Sequence, residues 1–138
     1  MFYLDTNTCI YFLNGEFPVL RETLLSHRPA EIGIPSLVKA ELLFAALKSR
    51  RRKANLEALR EFLQPFSVAG FGDVEAEHYA QIRAAVEHNG TPIGPNDLVI
   101  AATVRSQDGI LVTRNTSEFS RVSGLSIADW TSGDSGSA

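Results

Sequence analysis

The feature that most constrains this chain is an alternation between short apolar runs, too brief for helices, and longer stretches with helical spacing. Phe2-Tyr3-Leu4 stops abruptly at Asp5-Thr6-Asn7, and further runs follow at Glu31-Ile32-Gly33-Ile34, Phe66 to Phe71, Ile110-Leu111-Val112-Thr113 and Leu125 to Trp130. Between them, Ile10, Phe12 and Leu13 suit a short helix ending near Asn14-Gly15, and another helix runs from Val19 to Ser26. Pro35-Ser36 starts a helix from Leu37 towards Lys48, and Asp73 is a cap for one carrying Tyr79, Ile82 and Val86 on a single stripe. Pro95 suits the first turn of a helix from Asp97 to about Arg105. After the basic run Lys48 to Lys53, Leu56, Leu59, Phe62 and Leu63 mark one more amphipathic stretch. A helical hairpin and one long bent helix both satisfy the pattern from Leu37 to Leu63.

Strands that alternate with helices predict an α/β fold, with a central, mainly parallel β-sheet flanked by helices on both faces. A chain of 138 residues, 44% hydrophobic, carries one such domain, expected over 1–131. The segment from Ser132 to Ala138 has nothing to bury and is expected to be a disordered tail. The formal net charge of -3 means that any polyanion must be met by local patches, not by the whole molecule. A single cysteine, Cys9, excludes an internal disulfide and fits a reducing cytoplasm. No apolar run approaches the roughly 18 residues of a membrane span, so a cytoplasmic, membrane-free protein is expected.

In a parallel α/β sheet, ligands gather at the carboxyl ends of the strands. Asp5 sits where the first apolar run stops, a place where an isolated Asp is ordinarily a turn or cap residue. Glu41 shares a helical stripe with Leu37, Val38, Phe44 and Ala45, and burying it unpaired would cost several kcal/mol. A metal or a basic side chain should therefore face it, unless the helix leaves it partly exposed. Asp97 falls in the first turn of a helix, where the dipole favours its ionised form. Asn115 follows the fourth run as Asp5 follows the first, and Glu118 lies one helical turn further on. Oxygen ligands without His or Cys imply Mg²⁺, or Mn²⁺ in its place, and not zinc. His27, His78 and His88 have no ligand spacing and read as surface residues.

These motifs resemble the PIN-domain family, and within it the toxins of toxin–antitoxin pairs. Leu4-Asp5-Thr6-Asn7 is similar to the family's opening motif, and Ser36 through Glu41-Leu42 to its second. Ile93-Gly94-Pro95-Asn96-Asp97-Leu98, continuing to Ile100-Ala101-Ala102, is similar to the third, and Leu111-Val112-Thr113-Arg114-Asn115, continuing to Glu118-Phe119, to the fourth. The resemblance implies a Mg²⁺-dependent endoribonuclease that dimerises and is held inactive by a cognate antitoxin. It carries over Asp5, Glu41 and Asp97 as metal-binding acids. Asn115 departs from the pattern, since many relatives have Asp there, and its neutrality lowers the charge of the site; Glu118 can compensate. The basic run Lys48 to Lys53 suits the RNA backbone, an acidic partner, or simply a solvated helix end.

Three rival readings stand against the nuclease. A phosphatase of the haloacid dehalogenase type needs a second acid two positions after Asp5, where Asn7 stands, and a response-regulator receiver needs an Asp after a middle strand. The third, a non-catalytic PIN-like module that binds nucleic acid or a partner protein, gains some weight from Asn115.

Overall fold

The computed structural model describes residues 1–132 of the chain. Five short strands carry the apolar runs: β1 (Phe2–Leu4), β2 (Ile32–Pro35), β3 (Ser67–Ala69), β4 (Ile110–Val112) and β5 (Ser126–Ala128). Seven helices connect and cover them: α1 (Thr6–Leu13), α2 (Pro18–Ser26), α3 (Ser36–Leu47), α4 (Arg52–Leu63), α5 (Asp73–His88), α6 (Pro95–Ser106) and α7 (Thr116–Phe119). The strands form one sheet in the order β3-β2-β1-β4-β5, and all four pairings are parallel. Between Leu37 and Leu63 the chain is a helical hairpin, α3 against α4, and not one bent helix.

Several local expectations are corrected. The third and fifth strands are shorter than the runs Phe66 to Phe71 and Leu125 to Trp130, because only their middle residues pair. Asp73 is not the cap of α5 but its first residue; Gly72 holds the cap position, and its N–H donates to Glu75 Oε1 at 2.8 Å. Ser132 is exposed, and the rest of the expected tail, residues 133–138, lies outside the described residues.

The order of strands follows from what β1 can bury. Its three residues pair with β2 on one side and β4 on the other, with Tyr3 opposite Gly33 and Leu111. Tyr3 and Leu4 are both buried, and the core around them holds Ile34, Leu111 and Val112 from the strands and Ile100, Ala101 and Val104 from α6. Apolar residues on α6 are buried around most of its girth, which is the signature of a helix sealed between sheet and neighbouring helices. Arg105 ties α6 to α5 through His78 Nδ1 at 2.9 Å and Gln81 Oε1 at 2.7 Å.

The connection from β1 to β2 leaves in one direction along the sheet, and the later strands β4 and β5 are added on the other side of β1. The reversal opens a crevice between the carboxyl ends of β1 and β4, the topological switch point at which such sheets bind ligands. Tyr3 sets the spacing there. A Cβ placed on Gly33 would stand 2.6 Å from the Tyr3 ring, and one on Gly109 would run into the opposite edge of the same ring. Gly33→Ala is therefore expected to destabilise the fold by about 1–3 kcal/mol through overpacking. Urea unfolding measures it, and pairing the change with Tyr3→Leu should recover part of the loss.

Candidate metal and active centre

Asp5 leaves the end of β1 directly into α1, and its position is fixed from three sides. Its N–H donates to Val112 O of β4 at 3.2 Å, its Oδ1 accepts from Thr8 N–H at 2.9 Å, and Thr8 Oγ1 donates to Val112 O at 3.2 Å. The residue therefore caps α1, as an isolated Asp would, and is also only 7% exposed at the switch crevice. Burial raises its pKa; hydrogen bonds from Thr113 and Thr8 oppose the shift, and the charge of Glu41 adds to it.

Glu41 lies in α3, half-buried, so the helix leaves it partly exposed, and two neutral donors meet it. Thr6 Oγ1 donates to one carboxylate oxygen and Asn96 Nδ2 to the other at 3.0 Å. The hydroxyl and the amide offset desolvation without cancelling the charge.

Asp97 stands in the first turn of α6, half-buried beside Glu118 of α7. Burial, a carboxyl–carboxyl hydrogen bond with Glu118, and the charges of Glu118, Asp5 and Glu41 together push its pKa up to about 7. Glu118 goes the other way: burial raises it, but hydrogen bonds from Asn115, Asp97 and the Gly94 N–H prevail and hold it below its usual value. Asn115 Nδ2 donates to Glu118 Oε2 at 3.1 Å, and its own backbone N–H is held by Thr113 Oγ1 at 3.0 Å. Asp97 and Glu118 thus hold one proton between them, a standard outcome for crowded carboxylates.

The four acids Asp5, Glu41, Asp97 and Glu118 are near enough to perturb one another, and Asn115 lines a hollow together with Asp5. As the side chains stand, no three carboxylates, histidines or cysteines among the described residues converge on one ion-sized point. Each is turned instead towards a neutral donor or a shared proton. The donor set fits a hard divalent cation: it is all oxygen, and it keeps a proton that a cation would displace. Asp5, Glu41 and Asp97 would hold such an ion, with Asn115 and Glu118 within reach.

Sequence reasoning did not assign the threonines Thr6, Thr8 and Thr113 or Asn96, which orient the acids. Thr6 and Asn96 adjoin Asp5 and Asp97 in the motifs, and that adjacency was the available signal. It also missed Asn7, Tyr11 and Arg114, which line a hollow of about 210 Å³ with Asp5 and Asn115. Tyr11 follows Asn7 by four residues on α1, a spacing that puts both on one face. His27 is not a free surface residue, since it stacks on Trp130 at 5.0 Å, and His78 accepts from Arg105; His88 alone of the three is exposed. The basic run lies at the turn between α3 and α4, where Arg52 Nε donates to Leu47 O at 2.7 Å.

A family model for the PIN domain matches residues 2–125. The chain belongs to the PIN-domain family. It is 37% identical over 129 residues to the tRNA(fMet)-specific endonuclease VapC of Shigella flexneri, covering 94% of this chain and 97% of that protein. It is 33% identical over 131 residues to ribonuclease VapC2 of Rickettsia felis, covering 94% and 98%. Among solved structures, DNA-bound VapBC from Salmonella typhimurium matches with a TM-score of 0.88 at 36% identity, covering 94% of this chain and 97% of that one. VapBC2 from Rickettsia felis, bound to a DNA fragment from the promoter, matches with a TM-score of 0.87 at 33% identity, covering 94% and 99%. Fold, motifs and relatives agree, and this PIN domain is a nuclease of the VapC ribonuclease type. No helix among the described residues is long and apolar enough to cross a membrane.

The raised pKa of Asp97 makes the stability of the metal-free PIN domain depend on pH. Between its ordinary value of 3.8 and about 7, the folded protein keeps a proton that the unfolded chain has released. The contribution of this group to stability is full below the lower value and is lost as pH rises through about 7. Thermal melts in EDTA across this range should show Asp97→Asn gaining on the parent as pH increases, because Asn can still donate to Glu118 and never ionises. Equal pH dependence in the two proteins would mean that Asp97 ionises freely.

Proposed function

We propose that this chain is the toxin of a type II toxin–antitoxin pair, a Mg²⁺-dependent endoribonuclease that hydrolyses RNA phosphodiester bonds and is held inactive by its cognate antitoxin. One observation carries the mechanistic part: carboxylates distant in sequence, from the end of β1 and from α3, α6 and α7, stand near enough that their charges, with burial, push the pKa of Asp97 up. The all-oxygen donor set supports Mg²⁺, with Mn²⁺ as its substitute. When bound, a divalent cation supplies a Lewis acid that lowers the pKa of water and neutralises charge building on the phosphodiester. Asp5, Glu41 and Asp97 are its ligands in this reading, and Asn115 and Glu118 complete the site.

The chain's own residues perform the rest. Thr8 and the β4 backbone hold Asp5 in place at the edge of the sheet. Thr6 and Asn96 orient Glu41 while leaving its charge intact. A bound cation would displace the proton that crowding keeps on Asp97, while hydrogen bonds from Asn115 and the Gly94 N–H hold Glu118 below its usual pKa. Nothing here requires a covalent nucleophile.

Partners are read from the similar proteins and from exposed surface. The solved VapBC complexes support a cognate antitoxin for this chain. Apolar residues of the Leu37 to Leu63 region, with the adjoining helices, are the natural place for a homodimer contact, but Leu56, Leu59 and Phe62 among them pack inward: Leu59 is buried, Leu56 packs against the core, and Phe62 lies between Phe12 and Phe66 at 5.3 and 5.4 Å. The apolar residues left outside on the same hairpin are Phe44 and Leu47 of α3, 63% and 47% exposed. They are the better candidates for a twofold contact.

The activity is tested on protein freed of co-purified antitoxin, incubated with a mixture of tRNA, rRNA and mRNA with and without Mg²⁺. Cleavage should appear with the ion, vanish in EDTA, and fall by about a hundredfold or more in Asp5→Asn and Asp97→Asn. Parental cleavage by Asp97→Asn would reduce Asp97 to a helix-terminal residue. Light scattering addresses assembly: the parent should run as a dimer at micromolar concentration and Phe44→Asp as a folded monomer, whereas a monomeric parent overturns the dimer.

A further inference from the structure

Arg114 is an exposed cation placed beside the acidic crevice yet not drawn into it. It follows the buried Thr113 at the end of β4 and lines the hollow formed with Asp5, Asn7, Tyr11 and Asn115. A guanidinium beside several carboxylates would ordinarily collapse onto one of them. Among the described residues, however, none of the carboxylates lies within ion-pair distance of Arg114. Its guanidinium carbon instead sits 4.9 Å over the ring of Phe17.

Phe17 holds that place at a cost in backbone strain. It has φ 54 and ψ 84, in the left-handed region that a bulky residue rarely adopts, and Pro18 follows it. Strain of this kind persists where the surroundings over-determine it, and it gathers at functional sites. The Phe17 ring also meets Tyr11 edge-on at 5.1 Å, so one strained residue braces two walls of the hollow. With Asn7, those walls present a guanidinium, a phenol and an amide, all of them donors.

We infer that the hollow between Asn7, Tyr11 and Arg114 is a subsite for a non-scissile RNA phosphate, with the Arg114 guanidinium, propped on Phe17, as its anion-binding group. The inference rests on the nuclease reading for its substrate and deepens it. A chain of net charge -3 with an acidic centre repels RNA as a whole, so strand binding needs a cation near the centre that the acids do not neutralise. Arg is the side chain suited to it, because its planar fork grips phosphate bidentately and stacks on a ring at the same time.

Fluorescence anisotropy of a labelled single-stranded RNA oligonucleotide, titrated with the full chain in EDTA across a salt series, tests the subsite without requiring cleavage. Arg114→Ala should weaken binding roughly fivefold. It should also make the slope of log K against log salt shallower by about 0.7, the change expected when one phosphate contact is lost. Arg114→Lys should restore the slope but not the full affinity, and Arg83→Ala, on α5, should change neither. Multiple-turnover cleavage with Mg²⁺ should then show Arg114→Ala raising KM and largely sparing kcat. Parental affinity and slope in Arg114→Ala, or an equal loss in Arg83→Ala, overturns the subsite whatever the cleavage result. A parent that binds RNA through Arg114 but cuts nothing with Mg²⁺ or Mn²⁺ upholds the subsite and overturns the nuclease reading.

Discussion

The structure depends on the burial of β1, a strand of only three residues paired on both sides. So short a strand cannot hold its register by length, and side-chain fit does it instead. The Tyr3 ring occupies the space that side chains at Gly33 and Gly109 would fill, so the central strand and its two neighbours approach only in this alignment. A shift by one residue would turn Tyr3 and Leu4 to the wrong faces of the sheet. Because β1 lies at the reversal of strand order, the same fit decides where Asp5 stands relative to the end of β4. Packing at the middle of a three-residue strand thereby sets the geometry of the charged centre at its carboxyl end.

Around that centre the governing problem is repulsion. Four carboxylates on four elements could not all remain ionised at close quarters without help, and the chain solves each case differently. Asp5 receives backbone and hydroxyl donors, Glu41 receives a hydroxyl and an amide, and Asp97 keeps a proton that it shares with Glu118. None is paired with Lys or Arg within ion-pair distance among the described residues. A salt bridge would quench the field that a cation needs, whereas neutral donors fix geometry and leave charge in place. The absence of basic partners is thus part of the chemistry of the donor set.

Much of this was legible in the sequence because short parallel α/β elements announce themselves. The runs at Phe2 and Ile110 are apolar and end in a polar residue, so strand, strand end and crevice could all be read from them. The motif set carried the same information for Glu41 and Asp97. What could not be read lay in tertiary packing: a helical stripe does not say whether Leu59 and Phe62 face a core or a partner, and the ring of Phe12 decided it. The neutral partners of Glu41 were hidden for a related reason. Two donors from α1 and α6 converge on it from residues 35 and 55 positions away, which no local pattern encodes.

Asn115 shows how far the electrostatics of the centre are balanced as a unit. Taken by itself, an amide in place of an acid weakens a cation site by one charge. In the structure the Asn115 amide donates to Glu118, and this donation helps to keep Glu118 below its usual pKa while Asp97 takes the proton. An acid at this position would remove the donor and add a further negative charge beside a pair that already cannot ionise together. The neutral residue therefore gives up charge at the end of β4 and in exchange supplies a donor to Glu118, so that the surroundings push the two neighbouring acids in opposite directions.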